Sequence, residues 1–89
     1  MCRNIRILFN FEPPASDEEI RAAALQFVRK VSGQNRPSRT NQPAFEAAVD
    51  AIADVSKKLL DSLETHAPPR NRAEEAAKAH ARAVLRFSR

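Results

Sequence analysis

Three side chains in this sequence could supply soft ligands to a metal ion: Cys2, His66 and His80. No two of them have the close spacing of a zinc-binding pair, and a structural zinc site needs four ligands. We therefore predict no metal site and no cofactor. His66 lies where a predicted helix ends and can compensate the helix dipole. His80 falls on an apolar helix side and is expected to be buried and neutral.

Cys2 is also the candidate reactive thiol. If Met1 were removed, the thiol of Cys2 would lie beside a free amino group, a pair that can chelate a metal or act as a nucleophile. No base can be assigned near it, and a free cysteine is commonly a small apolar residue. A thiol-dependent enzyme centred on Cys2 is therefore the least favoured of three functional hypotheses.

The sequence lacks the glycine-rich and nucleophile motifs of nucleotide-binding enzymes and hydrolases. Its one glycine, Gly33, cannot build a loop around a phosphate. Adjacent carboxylates occur at 17–19 and 74–75, but both groups fall in predicted first helical turns, where negative charge stabilises the helix dipole. We predict no catalytic residues, and an enzyme is not expected.

Basic residues form two groups that could contact phosphates. One group surrounds the loop 34–41 and the other follows the last predicted helix, and together they comprise Arg29, Lys30, Arg36, Arg39, Lys78, Arg82 and Arg86. Such residues supply the sequence-independent part of nucleic-acid affinity. The loop is longer than a helix-turn-helix connection, however, and the five phenylalanines are expected in the core or the N-terminal arm rather than on an RNA-binding platform. A basic nucleic-acid-associated protein is the second hypothesis.

Composition favours self-association. Of the 89 residues, 43% are apolar, but much of that share is alanine and the chain has no Trp or Tyr. A small, thin core rarely stabilises a fold alone, so we expect a homo-oligomer, with a dimer favoured. Net charge is +3 over 1–40, −3 over 41–69 and +4 over 70–89. This pattern suits a polyanion, but it also suits contact between the ends of one chain and the middle of the same chain or a neighbour.

The apolar runs are too short for a secretory signal or a membrane helix. A cytoplasmic location without membrane contact is therefore expected.

Capping signals and apolar periodicity predict three helices. Helix 1 is predicted at 16–32, because Ser16 and Glu19 form a capping box and Gly33 suits a left-handed C-terminal cap. Helix 2 is predicted at 41–66, with Pro43 in its first turn and a heptad-like apolar stripe. Helix 3 is predicted at 71–87, after two prolines, with an alanine-rich sequence that favours helix.

Residues 1–15 form the arm, in which Ile5, Ile7, Phe9 and Phe11 alternate with other residues as in a strand. No later segment has the pattern of a second strand. Three alternatives follow: an extended arm in a groove of its own bundle, an arm paired with that of a second copy, or a short helix with Ile5, Leu8 and Phe9 on one face.

We predict an all-α fold, a small three-helix antiparallel bundle with an extended N-terminal arm, as one domain over 1–89. The predicted core consists of Phe9, Phe11, Ile20, Phe27, Val28, Val31, Phe45, Val49, Ile52, Leu59, Leu63, Val84 and Phe87.

The N-terminal sequence MCRNI, followed by LFNFEPP, and the later RPS, AF and Leu59-Leu60 resemble an uncharacterised bacterial family of small proteins classed as a domain of unknown function. The likeness covers nearly the whole chain and implies a bacterial cytoplasmic protein of this length. It implies no activity and no site residue. The preferred hypothesis is accordingly a small non-enzymatic interaction module that self-associates through the arm or helix 3, with any small-molecule ligand unknown.

Overall fold

Three helices and one very small sheet make up the part of the chain that the structure describes. The computed structural model describes residues 4–87, with side chains as far as Arg86. The elements in chain order are β1 (Phe11–Glu12), α1 (Asp17–Ser32), α2 (Gln42–Ser62), β2 (Arg70–Asn71) and α3 (Arg72–Phe87). The protein is mostly helical, as the sequence predicts.

Helix α1 begins and ends at the predicted capping residues. The Ser16 hydroxyl accepts a hydrogen bond from the Glu19 backbone N–H at 3.1 Å, and the Glu19 carboxylate accepts one from the Ser16 N–H at 3.1 Å. Gly33 adopts a φ of 73°, and its N–H donates to the carbonyl of Arg29. The capping box and the left-handed cap are both confirmed.

Helix α2 begins after Asn41 with Pro43 in its first turn, as predicted, but it ends at Ser62 rather than near residue 66. Leu63 is already extended, with a ψ of 140°. The prediction is too long at this end because residues 63–69 are irregular, and Asn10 of the arm holds the end of this segment through hydrogen bonds to Ala67, Pro68 and Arg70.

Helices α1 and α2 pack together as an antiparallel hairpin. Ion pairs between Asp17 and Lys57 and between Arg21 and Asp50 show the direction, since the partner number falls as the α1 number rises. Within residues 4–86, the buried residues all lie in this hairpin and are Ile20, Ala24, Val28 and Val49. Leu25, Phe45, Ala48, Ile52 and Ala53 pack partly buried around them.

The strand at the end of the arm pairs within its own chain. Phe11 lies opposite Arg70 in a parallel register, and the Arg70 N–H donates to the Asn10 carbonyl at 2.7 Å. The expectation of no second strand after residue 15 is therefore wrong. Residues 4–10 form a turn, bends and irregular chain without any helix, so the short-helix alternative for the arm is wrong as well.

The three-helix bundle is not confirmed. Helix α3 contacts β2, and none of its described side chains is buried. Several predicted core residues are instead largely exposed, namely Phe27 (48%), Val31 (70%), Leu59 (56%), Leu63 (44%) and Val84 (50%). His80, expected to be buried, is also exposed. Ile20, Val28 and Val49 are buried as predicted, and the side chain of Phe87 lies outside the described residues.

The resulting molecule is flat. Its extents are 45 × 38 × 15 Å and its radius of gyration is 16.0 Å, against about 12 Å for a compact chain of this length. The shortest dimension is about a third of the longest, so the elements lie side by side rather than around one common core.

Candidate interaction surfaces

One side of the α1–α2 hairpin is apolar and uncovered. We call it the hairpin apolar face and define it by Phe27, Val31, Ile52, Val55 and Leu59. Four of these are 48–70% exposed, and Ile52 is half-buried. Spacings of three and four residues place the α2 members in one row and Phe27 beside Val31 in another.

An ion pair marks the opposite side of the hairpin. Arg21 pairs with Asp50 there, and helical geometry places Phe27 about 120° from Arg21 and Leu59 about 180° from Asp50. Phe27 and the α2 row therefore lie on the side away from this ion pair.

A second site joins the arm, α1 and α3. Glu19 Oε2 accepts hydrogen bonds from Arg72 Nη1 at 2.9 Å and from Arg6 Nη2 at 3.2 Å. Arg72 Nε also donates to the carbonyl of Pro13 at 3.0 Å, and its guanidinium lies 5.3 Å from the centroid of the Phe11 ring. We call these five residues the Arg72 junction.

The Arg72 junction stabilises the charged form of the Glu19 carboxylate. The hydrogen bond from Arg72, and then the one from the Ser16 backbone, lower the pKa of Glu19 from its ordinary 4.5 to about 2. Arg72 Nη2 is buried and has no hydrogen-bond partner among the described residues. The junction positions α3 relative to α1, and every polar atom of Glu19 in it is already used by the chain itself.

The residues predicted to bind nucleic acid lie at the loop end of the hairpin and on α3. Arg29 and Arg36 line a cleft at the loop end of the hairpin, which Arg21 also lines. Lys30 and Arg39 are exposed nearby but do not line that cleft. Lys78, Arg82 and Arg86 are exposed on α3, and Lys78 pairs with Glu75 at 3.8 Å. Nucleic-acid binding by these residues stays a prediction.

Sequence reasoning missed Arg72, Asn10 and Arg21 as site residues. The sequence shows Arg21 only as an arginine beside the apolar stripe of helix 1. Its position in the cleft depends on how α2 packs against α1, which the sequence does not reveal. The partners of Arg72 and Asn10 lie 53 to 59 positions away in the sequence, and no local pattern signals contacts of that range.

A family model described as an uncharacterized conserved protein, DUF2277, matches residues 1–78. The chain belongs to this family. The family resemblance inferred from the N-terminal motifs is thereby confirmed. No curated protein and no solved structure matches the chain.

The DUF2277 match spans the arm, the hairpin, both strands and the start of α3. It therefore includes the hairpin apolar face, the cleft and the Arg72 junction, whereas Arg82 and Arg86 lie beyond it. Over residues 4–87, no group of His, Cys, Asp and Glu is arranged to hold a metal ion, and no helix could cross a membrane. Cys2 lies outside the described residues, so its predicted reactivity stays a prediction.

Proposed function

We propose that this protein is a self-associating interaction module in which two copies cover each other's hairpin apolar face. The observation that carries the proposal is that the chain exposes far more surface than a folded monomer does. Its accessible surface is 7383 Å², whereas a folded monomer of 9.9 kDa exposes about 5200 Å².

The excess surface is large enough for a stable dimer. A specific protein–protein interface buries about 1200–2000 Å² in total, half from each partner. Stable domains are built from at least two packed layers, and stacking two flat hairpins covers the apolar face that each copy leaves exposed.

The chemistry of the hairpin apolar face favours a second copy as its occupant. The face consists of aliphatic and aromatic side chains, so its best partner is equally apolar, and an identical face related by a two-fold axis meets that condition. Helix α3 offers further apolar area to a partner, because its Val84 is 50% exposed.

Light scattering coupled to size exclusion, over a range of protein concentrations, tests the proposal. We expect the unaltered chain to have twice the monomer mass at micromolar concentration and above. Leu59→Glu and Val31→Glu, on the two rows of the face, should each give a monomer, because a dimer would bury the new carboxylate unpaired.

Ala47→Glu is the matched control. Ala47 is exposed on α2 and lies about 120° around the helix from Leu59, so the same charge there should leave the dimer intact. A chain that is monomeric at every concentration would overturn the proposal. Equal disruption by Ala47→Glu would show that the hairpin apolar face is not the interface.

A further inference from the structure

The cleft at the loop end of the hairpin has the features of a small-molecule site. It lies between α1, the loop 34–41 and the start of α2, and its volume is about 380 Å³. Ligand pockets are commonly about 300–1000 Å³ and combine an apolar lining with a few polar groups. The cleft is on the side of the hairpin away from the proposed dimer face.

Its floor is apolar. Leu25, Phe45 and Val49 line it, and Val49 is only 3% exposed. Pro37 of the loop closes one side. Such a floor provides area for a flat apolar or aromatic group but no hydrogen bonds to orient it.

The walls carry an excess of positive charge, although the charge of Arg21 is offset by its partner Asp50. Arg21, Arg29 and Arg36 line the cleft against a single carboxylate, Glu46, which accepts a hydrogen bond from Gln42 at 3.1 Å. Guanidinium groups bind carboxylates and phosphates through paired hydrogen bonds. The lining therefore selects for an anion.

The three arginines differ in how far the protein already uses them. Arg21 is held by Asp50. Arg29 Nε donates to the carbonyl of Asn35 at 3.2 Å, which fixes this side chain against the loop and leaves its two terminal nitrogens for another acceptor. Arg36 forms no hydrogen bond or ion pair within residues 4–87. Arg29 and Arg36 are thus the groups available to a ligand.

We infer that this cleft binds a small organic anion, a phosphate or carboxylate joined to a planar apolar body, with the anion at Arg29 and Arg36 and the body on Phe45. The apolar floor and the cationic rim are separate features, and such a ligand is the chemistry that satisfies both at once.

Titration of 1-naphthyl phosphate, followed by fluorescence anisotropy, tests this inference. The chain has no Trp or Tyr, so its own emission does not overlap that of the naphthyl ring. We expect saturable binding that weakens as salt is added. Neutral 1-naphthol and inorganic phosphate, each carrying one of the two features, should bind about tenfold more weakly or not at all.

Arg36→Ala should weaken naphthyl phosphate binding about tenfold, and Arg36→Glu should abolish it. The matched controls are Arg39→Ala and Arg39→Glu, which change the same charge in the same loop at a position that does not line the cleft. Both controls should bind as the unaltered chain does. Leu59→Glu should also leave binding unchanged, so that this result is independent of self-association.

Four outcomes would overturn the inference. If 1-naphthol bound as tightly as naphthyl phosphate, the cleft would be an apolar surface that does not recognise the anion. If inorganic phosphate bound as tightly, the cleft would be an anion site that does not recognise the aromatic ring. Equal effects of the Arg36 and Arg39 substitutions would show diffuse charge attraction. Tighter binding of a single-stranded oligonucleotide that depends on Arg39 as well as Arg36 would assign the region to nucleic acid instead.

Discussion

Glu19 connects three segments of the chain with one carboxylate. Its Oε1 completes the capping box on Ser16, and its Oε2 accepts from Arg6 of the arm and Arg72 of α3. The first role was predictable, because a serine three residues before a glutamate is a local signal. The second was not, because nothing in the sequence around Glu19 indicates a partner 53 positions away.

The stability of the fold should depend on pH through Glu19. Its pKa is lowered to about 2 in the folded protein from an ordinary 4.5, so the unfolded chain binds this proton more readily. The stabilisation is therefore complete above about pH 4.5 and is lost as pH falls toward about 2.

Glu19→Gln should remove most of this stabilisation, about 1–2 kcal/mol at neutral pH, a figure below the full shift because the site is partly open to solvent. Urea unfolding at several pH values measures it. The difference between the two chains should shrink toward pH 2, while Glu18→Gln, at an exposed position in the same turn, should cost little. A difference that is constant with pH would contradict the prediction.

Arg72 should not be replaceable by lysine. Its guanidinium donates in two directions and lies against the Phe11 ring, and a single ammonium cannot do all three. Arg72→Lys should cost about 1–2 kcal/mol in urea unfolding. Arg70→Lys is the matched control, since Arg70 lies 5.9 Å from the same ring; an equal loss there would show that only ring contact matters.

At the scale of the elements, capping chemistry predicts where helices start better than where they stop. Helix α1 has both caps in its sequence, and its predicted and observed bounds agree within one residue. Helix α2 has no glycine cap, and its end is decided by tertiary contacts. The Asn10 side-chain amide donates to the carbonyls of Ala67 and Pro68 at 3.4 and 3.1 Å, which ties the segment before β2 to the arm.

The pairing of β1 with β2 could not be predicted, because two-residue strands have no periodicity to detect. Asn10 determines the pairing instead. It has a φ of 63°, a conformation that asparagine tolerates better than most residues, and both its amide and its carbonyl bond to the 67–70 segment.

Substitutions at Asn10 should separate the contribution of its left-handed backbone conformation from that of its side-chain hydrogen bonds. Asn10→Gly keeps the backbone conformation and loses the amide hydrogen bonds, whereas Asn10→Ala loses both. We expect losses of about 1 and about 2 kcal/mol respectively. Hydrogen exchange at the Arg70 amide should accelerate in the same order. Equal behaviour of the Gly variant and the unaltered chain would show that the amide bonds contribute nothing.

At the scale of the whole molecule, apolar periodicity says that a helix must bury one side but not against which partner. Phe27 and Val84 were assigned to a shared core on that basis, and each is about half exposed in the structure. The small, alanine-rich composition did predict that the chain would have too little core of its own. The composition could not specify whether a third helix or a second copy completes the packing.

If two copies complete each other, the stability of the fold should depend on protein concentration. Unfolding of a dimer produces two chains, so each tenfold increase in concentration adds about 1.4 kcal/mol to the apparent free energy of unfolding. Urea midpoints measured over a hundredfold range should rise steadily for the unaltered chain and for Ala47→Glu. For Leu59→Glu the midpoint should be lower and constant, because a monomer unfolds without a change in the number of particles. A constant midpoint in the unaltered chain would mean that the flat monomer is stable alone and that its uncovered apolar face has another use.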